Sequence, residues 1–210
     1  MYEPYRRFWH WLQTLTIVFL LFTGLIIHRP DIFGVFSFRG VVAIHNVLAA
    51  ILVINALLAI FYHLTTGRIH EYIPRPYGFF DDAIVQAKYY INGIFKGQAH
   101  PFEKTPDSRM NPIQKATYFA ILMMLLPLQI VTGALMWGVQ RWPAIAGWLG
   151  GLPVLAPFHS LVAWLFAAFI IVHVYMTTTG ATPLEAIRGM VTGWEEIETN
   201  HPEPIQGQGD

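Results

Sequence analysis

The stretch "PFHSLVAWLFAAFIIVHVYMTTTG" sets His159 and His173 fourteen residues apart in an otherwise apolar run. Imidazole is the side chain that carries protons and binds metals near neutral pH. An α-helix turns about 100° per residue, so this spacing returns His173 to within about 40° of His159 and raises it about 21 Å. Both rings therefore share one helix face at two levels. The midpoint of the run is near Phe166, and each ring stands about 10 Å from it, one towards each end. Ionisable groups at membrane depth are costly and mark function by default. The expectation is two stacked sites.

Haem is the cofactor that suits such sites, because neutral imidazole is a common axial ligand and a bis-histidine haem takes one ring from each of two helices. Each haem b then needs a second imidazole at matching depth. His10 and His28 lie in one further apolar run, His45 and His63 in another, each pair eighteen residues apart. Eighteen residues rise about 27 Å against about 21 Å for the first pair, so neither can serve both levels. His10 lies about 12 Å inward of the midpoint of its run near Val18, and His28 about 15 Å outward. His45 lies about 11 Å outward of a midpoint near Ile51 to Val53, and His63 about 16 Å inward. The depth matches are His45 with His159 at the outer level and His10 with His173 at the inner level. His28 and His63 fall near the membrane interface and read as histidines facing water or headgroups. His70, His100 and His201 read as solvent histidines. A lone histidine on an apolar helix is more often a packing residue than a ligand, but four at matched depths on three helices reverse that weighting. The apolar runs carry no Asp or Glu, which disfavours a dinuclear metal site. A haem-free histidine relay in a transporter or channel is the alternative from another class.

The elements that must hold these rings are membrane helices. The chain has 210 residues, 54% hydrophobic and only 12% charged, where a soluble domain carries about 25% charged residues. Its mean hydropathy is +0.44. Four runs approach the roughly 20 residues that cross a bilayer: Phe8 to Ile27, Val41 to Leu64, Ala116 to Val139 and Leu152 to Met176. The first lacks a small-residue cleavage site and reads as a retained anchor. Only helices and closed barrels satisfy the backbone in lipid, and these runs show no alternation of period two. The fold class is thus an all-α membrane protein, a four-helix bundle. With the N-terminus inside, ten Lys and Arg lie on the inner side and three, Arg29, Arg39 and Arg141, outside. The bias orients the chain N-in and C-in. Residues 1–198 form one four-helix di-haem domain, and 199–210, polar and rich in Pro and Gly, a loose tail. The absence of cysteine excludes disulfides, thiolate-held clusters and thioether-bound haem. Zero formal net charge gives no nucleic-acid signal.

The long inner loop contains "FFDDAIVQAKYYINGIFKG", which sets Phe80, Ile84, Ala87, Ile91 and Phe95 on one helical stripe. This predicts an amphipathic helix on the inner membrane surface, or one packed on a partner. "MNPIQKATYFAIL" opens the third run with Asn111, Gln114 and Lys115. Asn before Pro is an N-cap signal and accounts for Asn111 by itself. These residues also stand at the inner haem level, where a quinone needs hydrogen-bond donors at its carbonyl oxygens. They are the candidate quinone contacts. Gly24 in "LFTGL" and Gly133 in "IVTGAL" allow close approach to a flat ring or to a neighbouring helix.

Taken together, "FWHWLQTLTIVFLLFTGLIIH", "AIHNVLA", "NPIQKATYFAIL", the His159–His173 segment and "TPLEAIRGMVTGWEE" resemble the cytochrome b subunits of thiosulfate reductase. More broadly they resemble the di-haem b subunits of respiratory formate dehydrogenases and nickel–iron hydrogenases. The resemblance extends to about Glu198, and its most specific motifs are the His-x13-His helix and the Asn-x2-Gln-Lys opening. It implies a four-helix anchor with two b haems held by His45 with His159 and His10 with His173. It also implies a quinone site beside the inner haem that uses Asn111, with Gln114 and Lys115 continuing the motif.

The function expected is electron transfer between a periplasmic-side redox partner and menaquinone or another quinone, in the cytoplasmic membrane of a bacterium or archaeon. The partner is an iron–sulfur subunit attached to a catalytic subunit, or a multihaem cytochrome c. It would dock on the aromatic outer loops "RPDIFGVFSFRG" and "VQRWPAIAGWLGGLP". The chain is itself a subunit, with nothing to bind molybdenum, nickel or formate. A stand-alone b-type reductase is a further alternative. Arg7, Arg39 and Arg188 are candidates to pair haem propionates, and His63, Glu71 and Asp81 candidates for proton entry.

Overall fold

Long apolar stretches satisfy their backbone internally as helices, and the computed structural model is helical throughout its regular elements. It describes residues 3–71, 73, 78–98, 101–102, 111–178 and 182–194, and no strand occurs among them. In chain order the helices are α1 (Pro4–His28), α2 (Phe38–Thr65), α3 (Phe79–Lys88), α4 (Pro112–Trp137), α5 (Pro143–Trp148), α6 (Leu152–Thr177) and α7 (Glu185–Thr192). Four of them, α1, α2, α4 and α6, are long and apolar enough to cross a membrane. Their ends lie within about four residues of the expected runs, roughly one turn. The tail at 199–210, His100 and His201 lie outside the described residues.

The chain divides into two compact units, Gln13–Ala167 and a smaller one of Met1–Leu12 with Ala168–Asp210. In the larger unit all four spans meet. Leu52 and Ala56 of α2, Leu126 of α4, and Val162 and Phe166 of α6 form its buried core, flanked by Ile17, Leu20 and Leu21 of α1. The outward faces stay apolar; Phe61 is 67% exposed. Lipid is as apolar as leucine, so such faces cost nothing in a bilayer, and helix association rests on close packing and interhelical hydrogen bonds. One such bond joins α1 to α2: the Asn55 amide donates to Gln13 Oε1 at 2.8 Å, and Asn55 is buried.

α4 is not a regular helix. Its residues Ile121–Leu125 form a wide π turn, in which the Leu126 N–H donates to Ile121 O, five residues back. Pro127 follows directly. It has no N–H for the carbonyl four residues earlier, and a π turn is one way to absorb that loss. In the inner loop, α3 continues through a second π turn at Tyr89–Gly93 and a tight turn at Ile94–Lys96. Phe80, Ile84, Ile91 and Phe95 are exposed on it while Gln86 is fully buried. This is the amphipathic arrangement expected for Phe79 to Gly97.

In the smaller unit, the N-terminal turns of α1 carry α7. Arg7 Nε donates to Met190 O at 3.4 Å, its Nη2 donates to Val191 O, and Trp11 Nε1 donates to Met190 O at 3.1 Å. These are the last carbonyls of α7, where a guanidinium both supplies missing donors and meets the negative end of the helix dipole. The N-terminal end of α1 and the C-terminal end of α6 lie together here, as an even number of crossings requires.

Candidate functional site

In the larger unit, α1 positions His45 through Thr23. The Thr23 hydroxyl is 2.8 Å from His45 Nδ1 and 2.8 Å from the carbonyl of Phe19, four residues back in its own helix. α4 positions His159 in the same way. The Thr132 hydroxyl is 2.9 Å from His159 Nδ1 and 2.7 Å from Leu128 O. A glycine follows each threonine and faces the same ring. A Cβ on Gly24 would stand 3.5 Å from His45 Cε1, and one on Gly133 only 3.1 Å from His159 Cε1. His159 Nε2 faces the Gln129 amide nitrogen at 3.0 Å. Ligation through that nitrogen therefore requires Gln129 to turn aside.

In the smaller unit, His10 and His173 stand with ring centres 6.2 Å apart and planes inclined at 50°. Phe169 stacks on His173 with centres 5.4 Å apart, which fixes the orientation of the His173 ring. Nδ1 of His10 is buried and has no hydrogen-bond partner among the described residues.

The His10–His173 pair would fit a haem iron. A first-row metal bonds imidazole nitrogen at about 2.0 Å, and the ring centre lies about 1.1 Å further on, so a metal shared by two rings would allow centres up to roughly 6.2 Å apart. The His10–His173 separation of 6.2 Å matches this. Among the described residues no group of three or more His, Cys, Asp or Glu comes together. Two imidazoles alone complete the coordination of a macrocycle-held metal but not that of tetrahedral zinc.

The remaining expected residues are placed as follows. Asn111 and Gln114 form a reciprocal capping box at the start of α4: Gln114 N–H donates to Asn111 Oδ1 at 2.9 Å, and Asn111 N–H to Gln114 Oε1 at 3.1 Å. Asn111 Nδ2 also donates to the Tyr90 hydroxyl at 2.8 Å. Burial pushes the Tyr90 phenol up from its ordinary range, against the hydrogen bonds from Asn111 and Gln86. Lys115 is half-buried one residue on. The cap thus engages the Asn111 side chain at both ends. Arg39 and Arg188 are exposed, whereas Arg7 is held at the end of α7. His28, His70 and Asp81 are exposed. His63 departs from its expected place facing water or headgroups. It is 4% exposed and its Nδ1 lies 2.7 Å from Ala59 O in its own helix, so α2 carries it inward.

Thr23, Thr132 and Gln129 were not legible as site residues. For the threonines, a Thr-Gly dipeptide in the interior of an apolar span, Thr23-Gly24 in α1 and Thr132-Gly133 in α4, is the signal available; Gln129 carries none.

The family model described as "Prokaryotic cytochrome b561" matches residues 1–193. Among similar proteins, "Putative cytochrome YdhU" of Escherichia coli is 33% identical over 92% of this chain and 73% of its own. The "Probable Ni/Fe-hydrogenase B-type cytochrome subunit" of Cupriavidus necator is 27% identical over 83% of this chain and 77% of its own. The "Putative protein-methionine-sulfoxide reductase subunit YedZ1" of Azospira oryzae is 21% identical over 90% and 96%. No solved structure matches the chain. The chain, a multi-pass membrane protein, belongs to the prokaryotic cytochrome b561 family.

Proposed function

We propose that this chain is a di-haem b cytochrome subunit that passes electrons between a redox partner on the outer face and a quinone on the inner side of the cytoplasmic membrane. The observation that carries the reading is the approach of two intramembrane imidazoles, His10 and His173, to 6.2 Å between ring centres, in a chain whose family binds haem b; the matching depths of His45 and His159 support a second pair. His45 and His159 hold the outer haem, and His10 and His173 the inner one. Each bound haem supplies a one-electron carrier whose potential the ligands and their surroundings set. The protein supplies the spacing. By helical rise, His159 and His173 fall on opposite sides of the midpoint of α6, a spacing suited to carrying electrons across the membrane.

The excess of Lys and Arg in the N-terminal, central and C-terminal segments supports N-in and C-in orientation. Asn111, Gln114 and Lys115 then stand at the inner end of α4. Lys115 supplies a cationic donor to a quinone oxygen, and Tyr90, joined to Asn111, a hydroxyl within the same cluster. The outer partner is a redox subunit. Relatives whose names describe them as subunits of a hydrogenase and of a methionine-sulfoxide reductase support that role without fixing the terminal substrate. The partner docks on the outer loop of α5, where the Arg141 guanidinium lies 4.3 Å over the Trp137 ring.

Reduced naphthoquinone added to the purified protein tests the assignment. Reduction of the b haems is expected, slowed by Lys115→Ala. Haems that dithionite reduces but no quinol reduces would overturn the quinone role.

A further inference from the structure

We propose that Thr23 and Thr132 are positioning residues: they hold His45 and His159 in the tautomer protonated on Nδ1, so that both present the Nε2 lone pair to the outer haem iron. The inference rests on the four-imidazole reading above and adds two residues to it.

A threonine hydroxyl has one proton. Thr23 Oγ1 has two partners at 2.8 Å, Phe19 O and His45 Nδ1. The carbonyl can only accept, so the hydroxyl proton goes to it, and the ring must donate Nδ1–H to the oxygen. The same reasoning applies to Thr132, with Leu128 O at 2.7 Å and His159 Nδ1 at 2.9 Å. A hydrogen bond at one ring nitrogen decides which nitrogen remains free for a metal. The Gln129 side-chain amide lies 3.0 Å from His159 Nε2, and the direction of that contact follows the tautomer that Thr132 sets. The device occurs twice, on different helices, each time with a glycine behind the threonine that lets the ring edge approach.

In the inner pair His10 is placed differently: among the described residues its buried Nδ1 has no hydrogen-bond partner. Hydrogen bonding at Nδ1 raises ligand basicity, and a more basic ligand favours the ferric over the ferrous state. The two threonines therefore lower the outer potential selectively.

The test uses Thr23→Val and Thr132→Val, which keep shape and remove the hydroxyl, with Thr23→Ser and Thr132→Ser as rescues. The readouts are haem per chain and the midpoint of each haem in a potentiometric titration of the detergent-purified chain. Each valine variant is expected to lose outer-haem affinity by about 10–100-fold. Where the haem is retained, its midpoint rises by up to about tenfold in the reduction equilibrium, roughly 59 mV for one electron. The inner haem keeps its midpoint, and serine restores the outer one. Valine variants with wild-type haem content and both midpoints unchanged would overturn the inference while leaving the di-haem assignment intact. Equal loss of both haems, unrelieved by serine, would overturn it as a packing effect. If one valine variant does not fold, the other carries the test, because Thr23 and Thr132 contact different rings. A folded wild-type chain without haem would instead remove the reading on which the inference rests.

Discussion

Replacing Gly133 with alanine puts a methyl group 3.1 Å from His159 Cε1 and 3.8 Å from its Nδ1. Favourable carbon contacts begin near about 3.5 Å, so the new contact is about 0.4 Å too short. The ring has little freedom to move, since Thr132 holds Nδ1 and Gln129 faces Nε2. Overpacking of this kind costs about 1–3 kcal/mol, while alanine in place of glycine within a helix recovers about 1 kcal/mol. The net effect is a change of about 0 to 2 kcal/mol against folding, with His159 pushed out of place. Gly24 is the internal control. Alanine there meets His45 Cε1 at 3.5 Å, an ordinary contact, so only the gain of about 1 kcal/mol remains. The two substitutions should therefore differ in sign. Thermal unfolding in detergent and haem content, compared between Gly133→Ala and Gly24→Ala, check this. Equal midpoints of unfolding and equal haem content would refute the close approach at Gly133.

Four further outcomes follow from named contacts. Asn55→Ala should destabilise the larger unit by about 0.6 kcal/mol and at most about 1.7, and a double-mutant cycle with Gln13→Ala should show the two coupled; additive losses would deny the bond. Arg7→Ala should raise amide exchange in Glu185–Thr192 by removing a cap worth about 0.3–1 kcal/mol, with no change in exchange over α2. Asn111→Asp keeps the acceptor for Gln114 N–H but loses the donor to Tyr90, so it should retain stability, whereas Asn111→Ala should lose about 1 kcal/mol as an N-cap; equal stability of the two would show that the cap is idle. Tyr90 is held above the ordinary phenol range by burial. Its contribution is complete below that range and is lost as pH rises through the raised value, so ultraviolet phenolate titration should show one late alkaline step that Tyr90→Phe abolishes.

The spans were readable because twenty-residue apolar runs have few other solutions in lipid, and the histidine levels because helical rise converts spacing directly to depth. That calculation brings His10 to the level of His173, and the folded chain sets their ring centres 6.2 Å apart. Residues that hold rings in place were not readable in the same way. Thr23 and Thr132 look like ordinary filler in apolar helices until another helix presents an imidazole to them. The burial of His63 depends on which side of α2 faces the neighbouring helices, which depth does not fix. The π turn at Ile121–Leu125 reflects Pro127 acting on a helix that lipid forbids to break; a proline in this position would equally suit a kink. Asn111 had two readings, and the capping box establishes the structural one while leaving the quinone role to experiment.

The central claim is that four imidazoles hold two haems. Pyridine haemochrome quantitation on the purified wild-type chain, His45→Ala and His173→Ala tests it most directly. The expected result is two b haems per wild-type chain and one in each variant, with the dithionite-reduced spectra of the two variants summing to that of the wild type. A folded wild-type chain with fewer than two haems, or variants that keep both, would contradict the account.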